Sequence, residues 1–247
     1  MSRVIIYGFG NVGNHLAHRA KSVGYDVYVI SDSNLVAGFK CIKIHDLETF
    51  SESKDLLFLT VPDQFIDSTF AQIPASFNGA VISCSGAIAM IDSKNAGVWY
   101  PLYSFSRNIE IDWSQVPVFI ESRTDEIEQS LRDFSIALMV KSTVQLRSEE
   151  RKQLHLAAVF VNNFVNACLI GAETVLNSTE LSFNYLLPIL EQTIQKVQHN
   201  SPLLTQTGPA KRNDEITLKA HLDLLKTNGE ESQLYAAISK YIQQKFK

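Results

Sequence analysis

The chain has 247 residues, a formal net charge of −4, 45% hydrophobic residues and 19% charged ones. That balance excludes a disordered polar chain, and three cysteines (Cys41, Cys84 and Cys168) are too few for a disulfide framework. The mild acidity lacks the basic footprint of a nucleic-acid binder, so no nucleic acid is expected as a partner.

Taken in chain order, short apolar runs predict strands over 4–7, 26–31, 41–44, 55–61, 80–83 and 97–102, with helices over 11–23 and 63–72. Several runs are continuous rather than alternating, Leu56-Leu57-Phe58-Leu59 most clearly, which suits strands buried on both faces of a parallel sheet. Strand–helix alternation implies βαβ units and a doubly wound α/β domain. Strands over 117–121 and 140–146 and a helix over 125–138 extend the sheet at its edge. No strand signal follows Leu146. Helices are predicted over 149–176, 183–198, 214–227 and 231–245, with Ser148, Ser182 and Asp214 as capping residues. Pro188 should kink or delimit the second of them. A long loop spans 200–213. The organisation is therefore a nucleotide-binding domain over 1–147 and an all-α domain over 148–247 for substrate binding and dimerisation. The first 148 residues carry 16 acids against 12 bases and the remainder ten of each, so the whole charge excess sits in the first half.

The stretch 154–176 is apolar enough to imitate a membrane span, but it carries His155, Asn162, Asn163, Asn166 and Glu173. It reads as a buried helix of a soluble protein, with no membrane partner. Met1-Ser2-Arg3 leads straight into the first strand without a signal peptide, and the wide-spaced cysteines read as reduced thiols, so a cytoplasmic location is expected.

Gly8-Phe9-Gly10-Asn11-Val12-Gly13 is a G-x-G-x-x-G between a predicted strand and a predicted helix, the setting a dinucleotide requires. In such a Rossmann loop Gly8 permits the tight turn, Gly10 admits the pyrophosphate, and Gly13 allows close helix–strand packing. Amides at the helix start then face the phosphates. Asp32, 19 positions after Gly13 and following Ser31, suits a ribose 2′-hydroxyl and would repel a 2′-phosphate. With no Lys or Arg from Ile30 to Phe39, this favours NAD. Other strand ends should complete the cleft: Val61-Pro62, Ser83-Cys84-Ser85-Gly86 and Trp99-Tyr100-Pro101-Leu102. Ser85 or Tyr100 would reach nicotinamide or substrate. Cys84 reads as a small core thiol, not a nucleophile.

On the long helix, His155, Asn162, Asn166 and Glu173 fall on one stripe at α-helical spacing. Either neighbouring helices or a twin subunit satisfy them, or His155, Asn162 and Asn163 line an interdomain cleft and touch ligand. Imidazole as a side-chain type titrates near neutrality, which makes His155 the candidate acid/base. Gln206-Thr207-Gly208-Pro209-Ala210-Lys211-Arg212 is either a solvated connection or an anion-binding loop, with Gln206 and the Arg212 fork on a substrate carboxylate or phosphate. No metal site is apparent.

Three segments, Val4–Gly13 as a run, His155-Leu156-Ala157-Ala158-Val159-Phe160-Val161-Asn162-Asn163-Phe164, and Gln206 through Arg212, resemble a bacterial family of Rossmann-like NADP oxidoreductases with a C-terminal helical domain of unknown function. Trp99-Tyr100-Pro101-Leu102 resembles that family's Tyr/His-Pro-Leu segment. The family is similar to a wider 6-phosphogluconate dehydrogenase-like and pyrroline-carboxylate reductase-like superfamily. The resemblance implies NADP held between a Rossmann and a helical domain, and a homodimer formed through the helices. Several relatives carry a Lys four residues before an Asn on the interdomain helix. Here Ala158 or Val159 stands in its place, and Asp32 stands where members often have Arg. The sequence therefore reads as an NAD(P)-dependent oxidoreductase for a small carbonyl or imine substrate. The alternative is a dinucleotide-binding sensor or assembly subunit without hydride chemistry.

Overall fold

The computed structural model describes residues 3–31, 36–50, 52 and 54–247. Asp32 lies outside the described residues. By packing the chain divides into two compact units, Met1–Asn162 and Asn163–Lys247.

In the first unit, strand β1 (Arg3–Tyr7) is followed by helix α1 (Asn11–Ser22), β2 (Asp26–Ile30) and a short β3 (Lys40–Cys41). Next come β4 (Leu56–Leu59), α2 (Ile66–Phe70), β5 (Ala80–Ser83), β6 (Ala96–Pro101), β7 (Pro117–Ser122), α3 (Asp125–Leu138) and β8 (Ser142–Gln145). The eight strands form one sheet in the order β3-β2-β1-β4-β5-β6-β7-β8. Every neighbouring pair is parallel except β6 with β7. The added strands β7 and β8 therefore lie at one edge, as the sequence predicts.

Side chains on successive strand residues point to opposite faces, and both faces are covered. Val4, Ile6, Phe58, Trp99 and Phe134 share one core, while Ile5, Leu57, Leu59, Ile66 and Val81 share the other. This is why β4 reads as an unbroken apolar run. All four of its residues are buried.

Two predicted elements are shortened by local hydrogen bonding. The strand over 41–44 ends at Cys41, because the Asp46 carboxylate takes the Lys43 N–H (2.8 Å) and starts a 3₁₀ helix, Ile44–Thr49. The helix over 63–72 becomes a 3₁₀ turn, Asp63–Phe65, and the single-turn α2.

From residue 148 to the end the chain is helical: α4 (Ser148–Val159), a π-helical turn (Phe160–Phe164), α5 (Val165–Leu176), α6 (Leu187–His199), α7 (Pro202–Thr205), α8 (Glu215–Leu224) and α9 (Gly229–Lys245). Ser182 caps a 3₁₀ turn, Phe183–Leu186, that leads into α6, and Asp214 caps α8, each accepting a backbone N–H. Pro188 sits in the first turn of α6, where its missing N–H costs nothing, so it delimits the helix rather than kinking it. The loop over 200–213 contains the short α7.

Two expectations are corrected. The Ser148 hydroxyl does not cap α4; it donates to the Glu121 carboxylate (2.8 Å), and the cap interaction is made by Glu150, which accepts the Arg147 N–H (3.0 Å). Nor is the helix over 148–176 buried. No residue of its most apolar window is fully buried within the chain, although several are half-buried. Val161 is 73% exposed and Phe160 58%. By length and composition this is one helix that could cross a membrane.

Candidate functional site

Because β1, β4, β5 and β6 are parallel, their carboxyl ends share one edge of the sheet, where α/β folds bind ligands. Gly8 follows β1 with φ +99°, a conformation that side chains resist, and its N–H donates to Ile30 O at the end of β2 (2.9 Å). A Cβ on Gly13 would lie 2.1 Å from Gly8 O and 2.5 Å from the Thr60 hydroxyl oxygen. The loop thus closes on itself so tightly that only glycine fits there. A Cβ on Gly10 would meet nothing within 4 Å. Its openness is toward space, not toward protein. Thr60 braces the turn, its hydroxyl donating to Gly8 O (2.6 Å). Gly10 supplies no side-chain cap to α1, and no acid stands in that helix's first turn. Asn11 is exposed and Val12 half-buried. This donor set and this shape fit a dinucleotide pyrophosphate.

Beside the loop, Tyr7, Ser31, Lys43, His45 and Asp46 line a cavity of about 590 Å³. Two basic residues beyond β3 thus stand beside the end of β2. Both lie beyond the 30–39 stretch that follows β2 in sequence, and pairing of β3 with β2 brings residue 43 close across that gap. Asp46 lies 3.5 Å from the His45 ring nitrogen.

The second cluster begins at Tyr100, near the end of β6. Its hydroxyl and His155 Nδ1 are 3.0 Å apart and share a hydrogen bond. A Cβ on Gly86 would come within 2.6 Å of both His155 Nδ1 and the Tyr100 ring, so the β5–β6 loop can lie over the pair only as glycine. Burial, first of all, pushes the Tyr100 phenol up to about 12; Arg151 opposes this and Asp63 adds to it. Burial also raises the Cys84 thiol, an inert group packed against the core.

Arg151 was not anticipated as a site residue. In Ser148-Glu149-Glu150-Arg151-Lys152 it reads as one more charge on a solvated helix start, yet it is fully buried. It donates to Ser85 O (2.9 Å), Ile88 O (2.7 Å) and Glu121 (3.0 Å). The only available signal was spacing: Arg151 lies four residues, one helical turn, before His155.

Of the remaining sequence candidates, Ser85 is buried, and its hydroxyl accepts from Ala87 and Ile88 N–H (3.1 Å each), so it is engaged within its own turn. Pro62 opens the 3₁₀ turn after β4, and Val61 packs against the second core cluster. Phe9 packs edge-on to Phe39. Asn162 and Asn163 are both exposed on the π-helical turn. Such a turn closes i to i+5 and takes one residue more than an α-turn. The α-helical stripe drawn from His155 through Asn162 to Glu173 therefore does not continue across it. Gln206 and Arg212 belong to the second unit. There the Gln206 carbonyl accepts from Lys211 Nζ (2.8 Å), and Arg212 is exposed.

Comparison with known proteins agrees with this architecture. A structure named "putative NADP oxidoreductase BF3122", from Bacteroides fragilis, superposes with a TM-score of 0.88 at 27% identity, over 98% of each chain. Pyrroline carboxylate reductase from Plasmodium falciparum, with NADP bound, gives 0.61 at 12% identity over 98% of each chain. A reductive aminase from Aspergillus terreus, in complex with NADPH and ethyl levulinate, gives 0.71 at 12% identity, over 99% of this chain and 93% of that one. The last two likenesses concern the fold. No curated protein matches the sequence. A family model described as "Domain of unknown function (DUF2520)" matches residues 116–242, more than half of the chain, and the chain belongs to that family.

Proposed function

We propose that this protein is a nicotinamide-dependent oxidoreductase that transfers hydride between NADP(H) and a small carbonyl or imine substrate. The observation that carries this reading is the self-closing glycine turn, shut at Gly13 and open at Gly10. Gly8 through Gly13 and Ser31 would hold the dinucleotide, with Val61, Pro62 and Ser85 shaping the cleft. Lys43 and His45 beside Ser31 support NADP over NAD, as does the name of the Bacteroides protein. That replaces the NAD preference drawn from Asp32.

The cofactor, when bound, supplies or accepts the hydride. The chain's own residues handle the proton. The Tyr100 phenol, kept neutral by burial, and His155 hold one at their shared hydrogen bond. That pair takes the place of the Lys that several relatives carry. Asn162 or Asn163 would orient the substrate, and Gln206 and Arg212 would hold an anionic substituent. In this reading 1–147 carry the cofactor, and 148–247 carry substrate contacts and dimerisation.

The test is fluorescence titration with NADPH and NADH, followed by turnover with a panel of keto acids, ketones and cyclic imines. Tighter NADPH binding with turnover that drops on His155→Ala is expected. Binding without turnover would favour a sensor or assembly subunit. Binding of neither dinucleotide would overturn the reading.

A further inference from the structure

The segment after β6 does not run away from the glycine loop; it folds back onto it. Phe105 packs against Trp113 and the His15 ring of α1, and His15 Nε2 lies 2.9 Å from Ser106 O. Anchored there, Arg107 donates from its guanidinium to the Phe9 carbonyl (2.6 Å), inside the G-x-G-x-x-G itself. A guanidinium has five N–H donors and a fixed positive charge. Among the described residues Arg107 has no carboxylate partner and no second acceptor, and the side chain is exposed. One backbone carbonyl occupies a small part of that capacity. The cation stands at the rim of a loop that carries no acidic or basic side chain of its own from Gly8 to Gly13.

We infer that Arg107 is a cofactor-binding residue: a cation, carried on the segment after β6, that pairs with the pyrophosphate of the dinucleotide on the glycine loop. This rests on the dinucleotide reading above. Arg suits the role because its fork can keep one N–H on Phe9 O and turn others to phosphate oxygens.

The experiment is equilibrium titration of the full-length protein with NADPH, at low and at high NaCl, for the wild type, Arg107→Gln and Arg107→Lys. Melting curves would report that each variant is folded. Gln keeps an N–H donor for Phe9 O but drops the charge; Lys keeps the charge but loses the fork. Arg107→Gln is expected to raise the NADPH Kd by about tenfold or more and to flatten its salt dependence, since exposed charge pairing is screened by salt. Arg107→Lys should fall between, with the salt dependence retained. An unchanged Kd in Arg107→Gln would overturn the inference. So would a loss that leaves the salt dependence parallel to wild type, because that marks a displaced loop rather than a lost charge pair. If the wild type itself binds no dinucleotide, the oxidoreductase reading fails first, and this inference with it.

Discussion

Tyr100 shows how a single residue is tuned by where the chain places it. The phenol is 8% exposed, and burial raises it from 10.0 to about 12. The folded protein therefore holds this proton more tightly than the unfolded chain does. The stabilisation is complete below pH 10, where both states carry the proton, and is lost as pH rises toward 12, where the unfolded chain releases it first. A shift of that size corresponds to about 3 kcal/mol across the window. Denaturant unfolding at pH 8 and pH 11 should show a steeper alkaline loss for the wild type than for Tyr100→Phe. Equal losses in the two proteins would mean that the phenol is not held as described. The same chemistry bears on function, since a phenol that stays neutral is available at working pH as a donor to His155 or to substrate.

At the scale of elements, α4 joins the pair to the sheet. Arg151 and His155 lie one turn apart on it. The first is fully buried against Glu121 and the carbonyls of Ser85 and Ile88, and the second meets Tyr100. Removing one partner of such a pair strands the other, so Arg151→Met should cost on the order of 3 kcal/mol in urea unfolding. Glu121 keeps some solvent contact, which holds the cost toward the lower end of what buried pairs show. A loss under about 1 kcal/mol, typical of an exposed pair, would remove Arg151 as the brace. Much of this architecture was legible in advance. β4 and β5 are continuous apolar runs, α3 matches its predicted bounds, and the glycine pattern marked the loop. What was hidden depends on distance or on geometry without a residue signature. Arg107 lies 98 positions from Phe9, Lys43 reaches the end of β2 only through strand pairing, and no residue type announces a π-helical turn. Arg151 sat in a charged run whose ordinary fate is solvent.

At the scale of the molecule, the helical half departs most from what its sequence suggests. An apolar helix was expected to be buried, and within one chain it is not. Leu156, Phe160, Val161 and Ile170 are each more than half exposed. Exposed apolar side chains in this number mark association in water-soluble proteins. Lipid is a poor occupant, because the N-terminal turns of the helix are pinned by the buried Arg151 and the rest carries Asn162, Asn163, Asn166 and Glu173. A second copy suits it better. Residues 149–247 hold ten acids and ten bases, so two such halves meet without net repulsion, while the whole negative excess stays with the first 148 residues. Sedimentation at micromolar concentration should therefore give a dimer. Val161→Asp with Ile170→Asp should shift it to monomer, since charge buried at such a face is costly. A wild type that sediments as a monomer without detergent, or a double variant that dimerises as well as wild type, would exclude this face as the contact.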